Sequence, residues 1–324
     1  MKEDIIKQFK KTRAFVMKEE CRIELPLPSD IGKEEGKLIT VFLGEENTLF
    51  NLIEIHSTKI PDYIENPIKR PKELKINYCD AGRCELKLKS GECTYLTAGE
   101  IAIDTGQAES SFYYPGGEYI GYEVIVYMEE KETEPFPEAA SFLYRCFEGK
   151  ARPWIRNAGR FLSGFYNTFK FYTEEEIGNE LIYLKCTELL TYLTKLDFNQ
   201  AQIKRTYYTV SQVEIAKRVK ALICSDLSVR YAARDLAEKF GVSETSLKNY
   251  FRIVYGCGYA AFQQNARMEK AAELLKTEQK IADIGLTVGF ATQAKFGAAF
   301  KNCFGVTPLE YRRQHILNEK IRKE

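Results

Sequence analysis

Leu247, Phe251, Phe296 and Phe300 recur at the four-residue spacing that puts side chains on one face of a helix, so the polar residues between them must face elsewhere. Those polar residues fall into two sets. The first is Glu244, Thr245, Lys248, Asn249 and Arg252; the second is Thr292, Gln293, Ala294, Lys295 and Lys301. Asn and Gln pair bidentately with adenine, Arg and Lys with guanine, and Ala can meet a thymine methyl. Arg252 and Lys301 come later in their helices and suit phosphate. For any one of the ten, the plain alternative is a solvated helix residue.

The chemistry of an enzyme or metal site is harder to assemble. The chain has two histidines, His56 and His315, far apart in sequence. Metal-binding β-barrels draw on several His ligands. Cys79, Cys84 and Cys93 lack a CxxC pair and a fourth ligand in register, so zinc is set aside and buried thiols expected. Glu129, Glu130, Glu132 and Glu134 form an acidic run that reads as a solvated loop. No nucleophile motif, phosphate-binding glycine loop or dinucleotide fingerprint is present. The expectation is therefore no enzyme, no cofactor and no metal. The alternative to weigh is a cupin-type enzyme or metal-dependent sensor fused to a DNA-binding domain.

The elements that position the ten polar residues form a repeat. Ser243-x3-Leu247-x3-Phe251-Arg252 matches Thr292-x3-Phe296-x3-Phe300-Lys301 at an offset of 49 residues. Tyr255-Gly256 matches Phe304-Gly305, and Phe262 matches Tyr311. Each copy reads as a helix with a hydroxyl N-cap and a glycine just past its end. A shorter helix precedes each, with Leu236-Ala237 then Gly241 in the first copy and Gly285 then Gly289 in the second. This is helix-turn-helix spacing, with a turn one residue longer in the second copy. Between the copies, Tyr259–Thr277 reads as a helix of 19 residues, about 28 Å long at 1.5 Å per residue. That approaches the ~34 Å between successive major grooves on one face of a duplex.

Residues 209–314 resemble the DNA-binding domain of the AraC/XylS family of transcription regulators. The matching residues are Leu236-Ala237, Gly241-Val242-Ser243, Leu247, Phe251, Arg267-Met268-x2-Ala271-x2-Leu274-Leu275 and Ile281-x2-Ile284. They continue with Val288-Gly289-Phe290, Phe296, Phe300-Lys301, Gly305 and Thr307-Pro308-x2-Tyr311-Arg312. The resemblance implies seven helices, two helix-turn-helix units joined by a linker helix, and a role in transcription activation alongside RNA polymerase. Two departures stand out: Gly285 replaces the usual Ala, and Gly297-Ala298-Ala299 stands where the family often has a hydroxyl residue and an Arg.

Upstream, the pattern is β. Arg83–Lys89 and Glu92–Tyr95 alternate around Ser90-Gly91, which predicts a hairpin pairing Lys89 with Glu92. That register puts Cys84, Leu86, Leu88, Cys93 and Tyr95 on one face. Ile101–Asp104, Ser111–Tyr114 and Tyr119–Met128 are further strand candidates, and together they suggest a small antiparallel barrel or sandwich. Barrel-like strands with the Pro115–Gly117 turn are similar to the cupin-like sensory domains of the same family. An apolar pocket with a few hydroxyls suits a small aromatic or amphipathic effector, with Tyr95, Tyr113, Tyr114 and Tyr122 the candidate lining and an ordinary core the alternative.

Thr173–Glu176 has the form of a capping box, followed by an apolar stripe at Ile177, Leu181, Leu184, Leu189, Leu193 and Leu196. The stripe either packs on its own domain or forms a homodimer seam. Ile182–Leu190 is similar to a helix in the family branch that includes pyochelin-type regulators. Ser211-x-x-Glu214 is a second capping-box form, with Val213, Ala216 and Val219 on one face.

The expected architecture is α+β and multidomain. It comprises a cupin-like antiparallel β-barrel over 1–135, a helical dimerisation segment over 136–200, a linker at 201–208 and an all-α double helix-turn-helix domain over 209–324. Charge follows this division: residues 201–324 hold 21 Lys+Arg against 12 Asp+Glu, a net +9, and the rest carries −8. A basic third suits a polyanion. The 324 residues and 44% hydrophobic content fit a soluble, core-forming chain, and no apolar run approaches the ~20 residues of a membrane span. Nine scattered cysteines and an acidic, non-apolar start lead to the expectation of a cytoplasmic protein with reduced thiols.

Overall fold

The computed structural model describes residues 16–19, 22–27, 29, 35–43, 48–59, 72–106, 108–110, 113–128, 137–198 and 205–321. Expectations at 111–112, at the acidic run 129–134 and at 199–204 lie outside these residues. The chain divides into two compact units, 1–209 and 210–324.

The first unit is an antiparallel sheet with helices on one face. Its strands are β1 (Val16–Glu19), β2 (Arg22–Leu27), β3 (Gly36–Leu43), β4 (Thr48–Ile55), β5 (Glu73–Leu88), β6 (Glu92–Thr97), β7 (Glu100–Asp104), β8 (Ala108–Ser110), β9 (Tyr119–Tyr127), β10 (Trp154–Asn157) and β11 (Tyr208–Thr209). The main path runs β1-β2-β3-β4-β9-β5-β6-β11, with β7 and β8 also on β5, and β10 on β7. The expected barrel is not closed: among the described residues no pairing joins β1 to β11. The 16-residue β5 explains the shape. Glu73–Cys79 pair with β9 and β7; past a register irregularity between Cys79 and Ala81 the β9 pairing ends at Gly82, and Arg83–Leu88 pair with β6 and β8.

The predicted hairpin exists with a different register. Glu85 lies opposite Tyr95 and Lys87 opposite Cys93, one residue from the expected pairing. A three-residue loop, Lys89–Gly91, replaces the two-residue turn, closed by Gly91 N–H to Leu88 O at 2.9 Å. Gly91 has φ +80°, the left-handed conformation such a loop requires. A one-residue slip moves every side chain of a strand to the other face. Cys93 and Tyr95 therefore share a face with Glu85, away from Cys84, although both cysteines are buried. The Tyr95 hydroxyl donates to the buried Glu85 carboxylate at 2.9 Å.

Helices α1 (Pro137–Phe147), α2 (Gly159–Glu174) and α3 (Asn179–Leu193) cover the sheet. Ala140, Leu143, Phe165, Phe169, Ile182, Cys186 and Leu189 pack there with Phe50, Tyr78, Tyr122 and Val124 of the strands. The Lys37 ammonium ties β3 to Glu174 on α2 at 2.5 Å. The capping box expected at Thr173 is absent, because Thr173 sits in the last turn of α2 and donates to Phe169 O at 2.7 Å. The following helix begins only at Asn179, after Gly178. The apolar stripe divides accordingly. Leu189 and Leu193 are buried in the first unit, while Ile177, Leu181 and Leu184 are exposed.

The second unit is helical: α4 (Val210–Ser225), α5 (Ala233–Phe240), α6 (Glu244–Tyr255), α7 (Tyr259–Leu275), α8 (Ile281–Thr287), α9 (Gln293–Phe304) and α10 (Pro308–Ile321). Ser211 lies inside α4 rather than capping it, while Val213, Ala216 and Val219 are buried as expected. The linker helix α7 has 17 residues, two fewer than expected and about 26 Å long. It ends early because Lys276 and Thr277 turn back, their N–H groups donating to Glu273 O and Leu274 O.

Candidate nucleic-acid interface

The repeat seen in the sequence is a repeat in space. Ser243 caps α6, its hydroxyl accepting the Ser246 N–H at 3.1 Å, and Thr292 caps α9 by accepting the Lys295 N–H at 3.3 Å. Each helix ends at a left-handed glycine, Gly256 and Gly305. Behind α6, the rings of Phe251, Tyr255 and Phe262 lie 4.5, 5.4 and 5.7 Å apart. Behind α9, Phe300, Phe304 and Tyr311 lie 4.5, 5.4 and 5.4 Å apart. The same aromatic triangle thus anchors both helices.

The turns explain the one-residue difference. Val242 N–H donates to Ala237 O at 3.0 Å, and Phe290 N–H donates to Gly285 O at 2.8 Å. These ends of α5 and α8 correspond at an offset of 48, whereas the recognition helices correspond at 49. The inserted residue is Ala291. Small residues sit where the helices cross: at Gly285, an added Cβ would lie 3.3 Å from the Phe296 ring.

Leu247, Phe251, Phe296 and Phe300 are fully buried, as the spacing required. All ten candidate readers are exposed: Glu244, Thr245, Lys248, Asn249 and Arg252 on or beside α6, and Thr292, Gln293, Ala294, Lys295 and Lys301 on or beside α9. Lys248 is not idle in the free protein, since its ammonium pairs with Glu244 at 3.0 Å, one turn away. Asn302 on α9 is also exposed and can hydrogen-bond; the one-face reasoning that selected Lys301 passed it over.

Other polar residues hold the frame. Arg312 of α10 donates to Leu275 O at 3.1 Å and Gln279 O at 2.6 Å, closing the C-terminal end of α7. Thr307 and Glu310 form a reciprocal capping box on α10, with the Thr307 N–H to the carboxylate at 2.8 Å. Those bonds hold the Glu310 carboxyl below its usual range. Gln263 of α7 donates to Val229 O at 2.9 Å, and the buried Arg267 lies against Gly289. Burial, then Arg230, pushes the Arg267 pKa down.

The effector candidates do not converge. The Tyr95 ring lies with Glu85, and Tyr113 O accepts the Glu85 N–H at 3.0 Å, so those two are neighbours. Tyr114 is buried against Tyr119, ring centroids 5.3 Å apart. Tyr122 belongs to the helix-covered core, 5.3 Å from Tyr78 and 4.9 Å from Phe169. Among the described residues, no three His, Cys, Asp or Glu side chains group as metal ligands, and the eight described cysteines are free thiols. His56 pairs with Glu54 at 3.2 Å. No described helix is long and apolar enough to cross a membrane.

Two crossed helix pairs joined by one linker helix, each presenting an exposed polar helix, define a double helix-turn-helix domain. The family model described as a helix-turn-helix domain matches residues 236–314, and this domain is of the AraC type. An uncharacterised HTH-type transcriptional regulator of Staphylococcus aureus is 30% identical over 266 residues, 81% of this chain and 33% of that protein. The chain thus spans about a third of the length of these relatives. The transcriptional activator AggR of Escherichia coli is 29% identical over 140 residues, 43% of this chain and 49% of that protein. The C-terminal domain of AraT, a response regulator from Geobacillus stearothermophilus, is 36% identical, covering 31% of this chain and 84% of that one with a TM-score of 0.30.

Proposed function

We propose that the chain is a sequence-specific DNA-binding transcription regulator, an activator working with RNA polymerase in the cytoplasm and not an enzyme. The observation that carries this reading is the duplicated helix pair with every candidate reader exposed. The +9 charge of residues 201–324 supports it, because neutralising phosphates releases counterions and drives binding. The activator role draws support from similarity to proteins named as activators, AggR and FapR of Escherichia coli. The ten readers divide between bases and phosphates as their chemistry suggests.

The first unit is read as the sensor of a small-molecule effector. Dimerisation uses the face of α3 that its own domain leaves uncovered: Leu184 is 59% exposed, with Leu181 and Ile177 beside it in sequence and Phe171 exposed on α2. Selection of duplexes from a random pool with the full chain tests the function. A recovered consensus supports it, and an unenriched pool overturns it.

A further inference from the structure

A groove of about 690 Å³ in the first unit lies apart from everything assigned above. That volume falls within the ~300–1,000 Å³ of small-molecule sites. Its walls come from separate stretches of chain: Ser90 and Glu92, Phe147, Lys150–Trp154, and Arg205 with Tyr207. Three aromatic side chains border it, of which Phe147 and Trp154 are only 2% and 4% exposed and Arg156 lies over the Trp154 ring at 5.5 Å. The Phe147 and Trp154 rings stand 6.2 Å apart, and Tyr207 lies under the Arg152 guanidinium at 4.0 Å.

The cations are arranged unequally. Arg152 is fixed by hydrogen bonds from Nη2 to both Glu92 oxygens at 3.0 Å and from Nε at 3.3 Å. Arg205 donates to Tyr95 O at 2.6 Å and pairs with Glu100. Lys150 is exposed, its ammonium 5.0 Å from the Phe147 ring centroid, with no acidic partner among the described residues. Among the described lining residues and their acidic partners, Lys150, Arg152 and Arg205 against Glu92 and Glu100 leave one positive charge.

We propose that this groove binds a planar aromatic monoanion, with its ring on the exposed Arg152 guanidinium that lies over Tyr207 and its anionic group on Lys150. The fixed Arg152–Tyr207 stack supplies a preorganised flat wall, and Lys150 the uncompensated charge. This rests on reading the first unit as a sensor and gives that sensor a ligand class. The location also gives it a route to the DNA-binding unit. Tyr208 and Thr209 pair with Cys93 and Glu92 of β6, so the residue that holds Arg152 also holds the strand leading directly into α4. A ligand on the Arg152–Tyr207 stack steadies that strand.

Trp154 is the sole tryptophan of the chain, so its fluorescence reports the groove. The full chain is titrated with benzoate, with cyclohexanecarboxylate (same charge, no aromatic ring) and with benzyl alcohol (same ring, no charge). Benzoate should change Trp154 emission saturably, and the other two should bind much more weakly. Lys150→Gln should weaken benzoate about tenfold, the loss of one charge-assisted contact, without moving the unfolding temperature. Equal binding of either control, an unaffected Lys150→Gln variant, or silence toward both benzoate and 2-naphthoate overturns the assignment. If those acids fail while a pool of other small molecules raises the unfolding temperature, the groove assignment falls and the sensor reading stands. If the pool also fails, both fall.

Discussion

Replacing Asn249 by alanine removes an exposed amide from the middle of α6 without disturbing the core, since the buried residues beside it are Leu247 and Phe251. Among the described residues no hydrogen bond or ion pair engages this amide, so it meets DNA without first breaking a protein contact. A bidentate amide–adenine pair contributes about 1–3 kcal/mol of discrimination, roughly five- to 150-fold. Lys248 starts from a different position. Its pair with Glu244, about half-exposed on both sides, must open before the ammonium reaches a base. Such exposed one-turn pairs contribute about 0.3–0.5 kcal/mol, so Lys248→Ala should cost somewhat less than Asn249→Ala. On α9, the residues after Lys295 are Phe296, which is buried, and Gly297-Ala298-Ala299, which have nothing to donate. Lys295→Ala should therefore cost least. Competition anisotropy with the three variants against single-base operator variants measures this. A larger specificity loss for Lys295→Ala than for both α6 variants would refute the reasoning.

Gly297 has open space around its Cβ position, so Gly297→Ala should stabilise the chain by about 0.5–1 kcal/mol in chemical denaturation. Gly289 has φ +82°, and an added Cβ would lie 2.5 Å from Ser228 O, so Gly289→Ala should cost about 2–3 kcal/mol or more. Leu184→Glu should convert a dimer at micromolar concentration to a monomer in light scattering while leaving the far-UV circular dichroism of the folded chain unchanged; a dimeric variant would place the seam elsewhere. Glu310 is held as a carboxylate by Thr307, below its unfolded pKa, so its contribution is present above the carboxylate range and lost as pH falls through it. Denaturation of Glu310→Gln across that range should show a weaker acid dependence than the parent.

The second unit was readable because its signals are local. Caps, terminal glycines and four-residue spacing at Ser243, Leu247, Phe251 and Gly256 specify a helix and its buried face together. The inserted Ala291 showed as one residue of extra turn. The hairpin register at Glu85–Tyr95 was not readable, because Glu85 is buried on one face as Cys84, Leu86 and Leu88 are on the other, so polar alternation does not mark the solvent side. Glu85 is buried because the Tyr95 hydroxyl opposite it donates to its carboxylate, a cross-strand pairing that no local spacing announces. The capping-box form at Thr173 misled for a related reason: hydroxyl and Glu spacing also occurs in a last helical turn, where the hydroxyl bonds backward to the carbonyl four residues earlier. The groove at Lys150–Trp154 draws on chain segments up to about 115 residues apart, and no spacing rule brings them together.

The account turns on sequence-specific duplex recognition by both helix pairs. The direct measurement is footprinting of the full chain on the consensus recovered from random duplexes. Protection of two major-groove segments one helical turn apart, on the same face and weakening steeply with salt, is the expected result. A footprint confined to one segment, or uniform protection without sequence preference, would contradict it.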